Sequence, residues 1–287
     1  MSSTQLMQLE ISKLKNLPPL PEESARILTA LNDPSIELEI LVDLLSTSPI
    51  LVGRLLGLAN SAYFGYPSAV TSLKVAIINV LGLKLVKSLS LSILLGTALD
   101  SSRCSHFESE RFWLNTLLTA VSAQKIATLL KQESLDPSLA YTSGILLHIG
   151  LLAAVHVYPE QMEQLLLLEK KDELTLGELM AQYHTTDQYE MGGYLLERWK
   201  LPNAFQQVVK HYMDADYQGE VLPMISLLKL ANVLVRMMRH DKEGIPSEGL
   251  ALMQALAIKE TEILSIKVEV CEKMDDLNAL VKTMTGK

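Results

Sequence analysis

The sequence predicts an all-α protein, a compact multi-helix bundle. Three observations carry this. Apolar residues recur at helical spacing along nearly the whole chain, strand-type alternation is not sustained anywhere, and no Asn-Gly or Asp-Gly hairpin signal occurs. Of the 287 residues, 48% are hydrophobic, 20% charged and 5% aromatic. That composition suits a substantial core and excludes a disordered chain.

The elements follow in order. Pro18, Pro19 and Pro21 form a stiff opening segment, and Pro34, Pro49, Pro67, Pro137, Pro159, Pro202, Pro223 and Pro246 each mark a helix start or connection. Ser35 is placed to cap a helix with the stripe Leu38, Leu41, Val42 and Leu45, with Glu37 in its first turn. Ser48 before Pro49 reads as a cap plus first-turn proline, and Leu51, Leu55, Leu58 and Ala62 make the next stripe. Residues 112–131 read as one longer helix. Residues 141–157 are apolar on nearly every face, so they belong at the centre. Residues 189–199, 203–211 and 222–238 continue the pattern, 239–249 is the best loop, and 248–284 reads as two polar-faced helices. Short helices on short connections pack into a compact bundle.

Charge and cysteine content narrow the function. The net charge is −8, which disfavours a sequence-independent DNA binder. Cys104 and Cys271 make no disulfide framework and no CxxC motif, and they read as reduced thiols of a cytoplasmic protein. The first residues lack the apolar stretch of a signal peptide. The most apolar runs are 75–99, broken by Lys84 and Lys87, and 144–158, shorter than a membrane span and carrying His148 and His156. Both read as buried helices, with no membrane insertion.

Several segments together carry a family resemblance. These are Leu17-Pro18-Pro19-Leu20-Pro21, Asn32-Asp33-Pro34, Ser48-Pro49-Ile50-Leu51, and the distinctive Leu58-Ala59-Asn60-Ser61-Ala62-Tyr63-Phe64-Gly65. Thr71-Ser72-Leu73, Leu81-Gly82-Leu83 and Glu197-Arg198-Trp199-Lys200-Leu201-Pro202 continue it. The chain resembles the HDOD family, the HD-related output domain of bacterial signalling proteins. Ser48 departs from the aspartate usual there, but serine also caps a helix. The resemblance implies a bundle of the HD-domain, PDEase-like type, with the HDOD domain over 11–213 and a C-terminal helical extension, 214–287, packed on the same body. No receiver or other enzymatic domain is expected within the chain.

The related HD phosphohydrolases and HD-GYP phosphodiesterases hold divalent metal with histidines and aspartates from several helices, making bound water nucleophilic. At the corresponding positions this chain has Asn115, Leu147, His148 and Asn232. Gln188 stands where a relative often has histidine, and of a paired-histidine segment only His211 remains, in Val209-Lys210-His211-Tyr212. Leucine cannot ligate a metal, and a neutral amide is a poor ligand. The sequence therefore implies no catalytic residue, no metal and no cofactor. GxSxG, a Gly-rich phosphate loop and HExxH are also absent. Asn115, His148, Gln188, His211 and Asn232 are candidates for a remnant pocket, more simply read as polar residues bonded between helices.

Asn60, Ser61 and Tyr63 with Arg54, Lys74, Lys84 and Lys87 are candidates for a partner surface. The simpler reading is a helix C-terminus whose polar side chains satisfy backbone groups, beside a solvated basic face. The functional expectation is a non-catalytic regulatory module of the bacterial cytoplasm acting through protein partners. A nucleotide or cyclic di-GMP sensor without turnover and a degenerate phosphohydrolase are the alternatives.

Overall fold

The computed structural model describes residues 22–33, 35–132, 135–169, 176, 179, 187–242 and 244–285. Pro18, Pro19, Pro21 and Pro34, and the Leu17–Pro21 motif with them, lie outside the described residues. Within the described residues every regular element is helical and no strand occurs. In chain order these are α1 Glu22–Asn32, α2 Leu38–Ser46, α3 Pro49–Ala59, α4 Leu73–Val75, a π-helix Ala76–Leu81, α5 Leu83–Ala98, α6 Ser109–Leu130, α7 Pro137–Leu146 and α8 Ile149–Val157. They continue with α9 Pro159–Glu169, α10 Gln188–Arg198, α11 Asn203–Lys210, α12 Leu222–Arg239, α13 Ser247–Leu256, α14 Glu260–Cys271 and α15 Met274–Thr285.

The bundle is organised around α6. Helices α7, α12, α14 and α15 all pack against it. It buries Phe112, Trp113, Leu117, Leu118, Ala120, Ala123 and Ile126 on several sides, as a central helix must. Small residues set the closest approach. A Cβ on Gly144 of α7 would come within 2.6 Å of the Ala120 Cα on α6.

Two starts near the N-terminus contrast. Ser48 is extended, with φ −102° and ψ 103°, and Pro49 opens α3 while Leu51, Leu55 and Leu58 are fully buried. Ser35 does not cap α2. Its N–H and hydroxyl both donate to Asp33 Oδ1, at 2.8 and 2.7 Å, and the helix begins three residues later behind an extended Glu37. The Asx turn at Asp33 takes the serine that would have capped the helix.

Residues 141–157 are not one helix. His148, at φ −100° and ψ 10°, stands between α7 and α8. Beyond this break α8 packs on α10, where Gly150 lies against the backbone of Gln188 and Gly192. The apolar run also reaches back to Pro137, making 21 residues whose most apolar 18-residue window has a mean hydropathy of 1.7, long and apolar enough to cross a membrane, but 78% of that window is buried inside the fold. Its apolarity is therefore satisfied by the core.

The C-terminal stretch divides into three helices, α13, α14 and α15. Ala257 adopts a left-handed conformation (φ 54°) and ends α13, a break that no glycine or proline marks in the sequence.

Candidate functional site

The polar centre draws on α6, the α7–α8 bend, the start of α10, the end of α11 and α12. On α6, the Thr119 hydroxyl lies 2.9 Å from the Asn115 carbonyl one turn back and 2.9 Å from Asn232 Oδ1 across the helix interface. Its single proton serves one of the two acceptors at a time. Asn232 Nδ2 in turn donates to the Tyr212 hydroxyl at 2.6 Å. The Tyr212 ring lies against Tyr189, with centroids 4.6 Å apart, and Tyr189 faces His148 at 6.1 Å. Lys229 holds its ammonium 5.8 Å from the Tyr212 ring centroid, a cation–π contact.

The hydrogen-bonding side chains of this centre are themselves neutral. Burial pushes His148 down to about 4, partly opposed by a hydrogen bond with Asn232, so its imidazole is uncharged at neutral pH. Burial also pushes Tyr189 up to about 12 and raises Tyr212, so both phenols keep their protons.

The sequence candidates separate here. Asn232 acts on the His148 imidazole, holding its pKa up against burial, while Asn115 contributes only its backbone carbonyl, to the Thr119 hydroxyl. Gln188 is buried at the first turn of α10, where it lowers the pKa of the neighbouring Tyr189 phenol against the effect of burial. His211 turns away: its Nδ1 lies 3.2 Å from Asp214 Oδ2 and its ring stacks on Tyr217 at 4.4 Å. Thr119, Tyr189 and Tyr212 were missed. Two signals were available, since Thr119 lies one turn from Asn115 and Tyr212 occupies the second place of the paired-histidine segment.

The HD-type metal does not fit these residues. Leu147 is fully buried and has no donor atom. Thr119, Asn232 and Tyr212 offer neutral oxygens and nitrogens already bonded to one another. Among the described residues, no carboxylate joins this network to balance a divalent charge, which an apolar interior requires. Among the described residues, no three His, Cys, Asp or Glu converge closely enough to hold a metal ion.

The second set of candidates surrounds the end of α3. Asn60 staples two strands of chain: Nδ2 donates to the carbonyls of Leu56 and Val70 at 2.8 and 2.9 Å, and Oδ1 accepts from the Val70 N–H at 2.8 Å. The Ser61 hydroxyl donates to the Leu58 carbonyl at 2.7 Å. Tyr63 packs edge-on to Phe64 and lies under the Lys273 ammonium. Lys74 pairs with Glu39 at 2.8 Å, Lys84 with Asp136 at 3.5 Å, and Lys87 donates to the Asp33 carbonyl at 2.8 Å. Arg54 is half-buried on α3, and burial lowers its pKa. Behind Tyr63, a cleft of about 500 Å³ opens between α5, α6, α7 and α15.

The HDOD domain model matches residues 17–215. The chain belongs to the HDOD family. The HDOD match is joined by relatives in sequence and in structure. An uncharacterized protein of Treponema pallidum (strain Nichols) is 25% identical over 255 residues, covering 88% of this chain and 49% of that protein. A crystal structure from Marinobacter aquaeolei VT8, provisionally named a signal transduction protein, superposes with a TM-score of 0.82 at 22% identity, over 97% of this chain and 62% of that one. One from Shewanella amazonensis SB2B, provisionally named a phosphohydrolase, gives 0.77 at 22% identity, covering 96% and 97%. An HDOD domain protein of unknown function from Geobacter sulfurreducens gives 0.73 at 19%, again covering 96% and 97%. The chain thus spans about half the length of its curated relative, and the structures establish a shared all-helical fold.

Proposed function

We propose that this HDOD protein is a non-catalytic signal-transduction module of the bacterial cytoplasm that acts through protein partners. One observation carries the reading. Of the positions that would hold metal in a catalytic relative, Leu147 has no donor atom, His148 is uncharged, and Asn232 is tied into a neutral network with Thr119 and Tyr212. Such a network fixes helix register and offers no nucleophile and no counter-charge for a phosphoester. The family's role in signalling supplies the rest, with the helical exterior as the recognition surface.

The test joins two measurements on one preparation. Full-length bait recovered from its native host is assayed for bound partner and for metal by mass spectrometry. The expected result is a defined protein that co-elutes at fixed stoichiometry, with metal well below one equivalent per chain. One equivalent of metal, or cyclic dinucleotide hydrolysis by the pure chain, overturns the reading.

A further inference from the structure

The cleft behind Tyr63 is separate from the neutral centre and has the make-up of a small-molecule site. Its volume of about 500 Å³ lies within the roughly 300–1,000 Å³ typical of ligand pockets. Most of its wall is aliphatic, including Leu89 on α5, Leu117 and Val121 on α6, and Leu277 and Leu280 on α15. The polar lining is Tyr63, Lys84, Ser88, Gln124, Ser138 and Tyr141. Lys84, Ser138 and Tyr141 meet at the start of α7: Ser138 and Tyr141 lie one turn apart on it, and the Lys84 ammonium reaches Asp136, which caps that helix.

Tyr141 is the informative residue. It is only 6% exposed, lines the cleft, and its hydroxyl has no hydrogen-bond partner among the described residues. The ring is buried and the hydroxyl is reached from the cleft, where a ligand acceptor can take the place of water. Burial raises its pKa, so it remains an O–H donor at any physiological pH. Lys84 supplies the charge. Its contact with Asp136 is long, at 3.5 Å, and its side chain is 76% exposed, so the pair is weak and the ammonium is available to a second anion. Asp136 does not block it, because Oδ1 accepts from the Ser138 and Leu139 N–H groups and Oδ2 faces Lys84. The π-helix Ala76–Leu81 ends at the rim, where Gly82 takes φ +79° and its N–H closes the wide turn on the Ile77 carbonyl at 2.9 Å. Wide turns of this kind are frequent at functional sites.

We infer that this cleft binds a small carboxylate with an apolar body, a medium-chain acyl acid or its aromatic equivalent. The carboxylate accepts from Tyr141 and Ser138 and pairs with Lys84, and the body lies along Leu89, Leu117, Leu277 and Leu280. The site touches α3, α5, α6, α7 and α15 at once, so occupancy would tie the N-terminal helices to the C-terminal ones. This goes beyond the proposed signalling role and does not depend on it.

The test is isothermal titration calorimetry of the full chain with decanoate, 1-naphthoate and, as the uncharged control, decanol. Saturable binding of an acid at one equivalent per chain is expected, tighter than decanol. Tyr141→Phe and Lys84→Met should each weaken decanoate about tenfold, the effect of one hydrogen bond to a charged group. Lys84→Met should leave decanol unchanged. Leu85→Trp, which fills the wall, should abolish all binding, with circular dichroism confirming the fold of each variant. No saturable heat with either acid, equal affinity for decanoate and decanol, or binding indifferent to the variants would overturn the inference.

Discussion

Asn232 holds the centre of the molecule by accepting and donating at once, from Thr119 and to Tyr212. Truncating it to alanine takes the donor from the Tyr212 hydroxyl and leaves Thr119 only the Asn115 carbonyl, and Asn232→Ala should lose about 2 kcal/mol of unfolding free energy in urea titrations. His148 makes a pH prediction. Its folded pKa of about 4 lies below the ordinary value of 6.5, so between these values the unfolded chain binds the extra proton. The stability linked to this group is therefore complete above pH 6.5 and is lost as pH falls toward 4, by at most about 3 kcal/mol. Asn232→Asp sets a carboxylate beside the imidazole and should raise the His148 pKa toward or above 6.5 in an NMR titration; an unchanged value would mean that the two side chains do not meet. At this scale the sequence was partly legible. Asn115, His148 and Asn232 could be located because they stand where the related HD enzymes have metal ligands. Tyr189 could not, because its place depends on how α10 docks against the α7–α8 bend, a long-range outcome that no local pattern encodes.

Helix crossings decide where these residues meet. The tightest is α8 on α10, where a methyl on Gly150 would collide with the Gln188 carbonyl oxygen and the Gly192 N–H. Backbone on both sides cannot yield as a side-chain tip can. Gly150→Ala should therefore cost about 3 kcal/mol in chemical denaturation and shift the His148 and Tyr189 resonances, whereas Gly53→Ala, with open space around it, should move neither. Element boundaries were legible where the chemistry is local. Ser48 before Pro49 fixes the start of α3 from adjacent residues alone. They were not legible where two local options compete, as when Asp33 captures Ser35, or where the chain bends without a punctuating residue, as at His148 and Ala257.

At the level of the whole molecule, the family match ends at residue 215 but the packing does not. Helices α12, α14 and α15 all lie on α6, and Leu227, Leu228, Leu230 and Leu234 of α12 are fully buried. Each such side chain contributes roughly 1.5–3 kcal/mol of burial, so the four together rival the roughly 5–15 kcal/mol that holds a domain folded. A fragment ending at residue 215 would also expose the α6 surface that α12 covers, and it would lose Asn232 and with it the bonds to Thr119 and Tyr212. Such a fragment should show no cooperative thermal transition and should bind the dye 1-anilinonaphthalene-8-sulfonate, while the full chain melts sharply and binds little by comparison. A sharp melt of the fragment would mean that residues 216–287 are an accessory to the fold. Their absence of such a melt would follow from the arrangement already described: the central helix and the neutral centre are both completed by residues that the family pattern does not include.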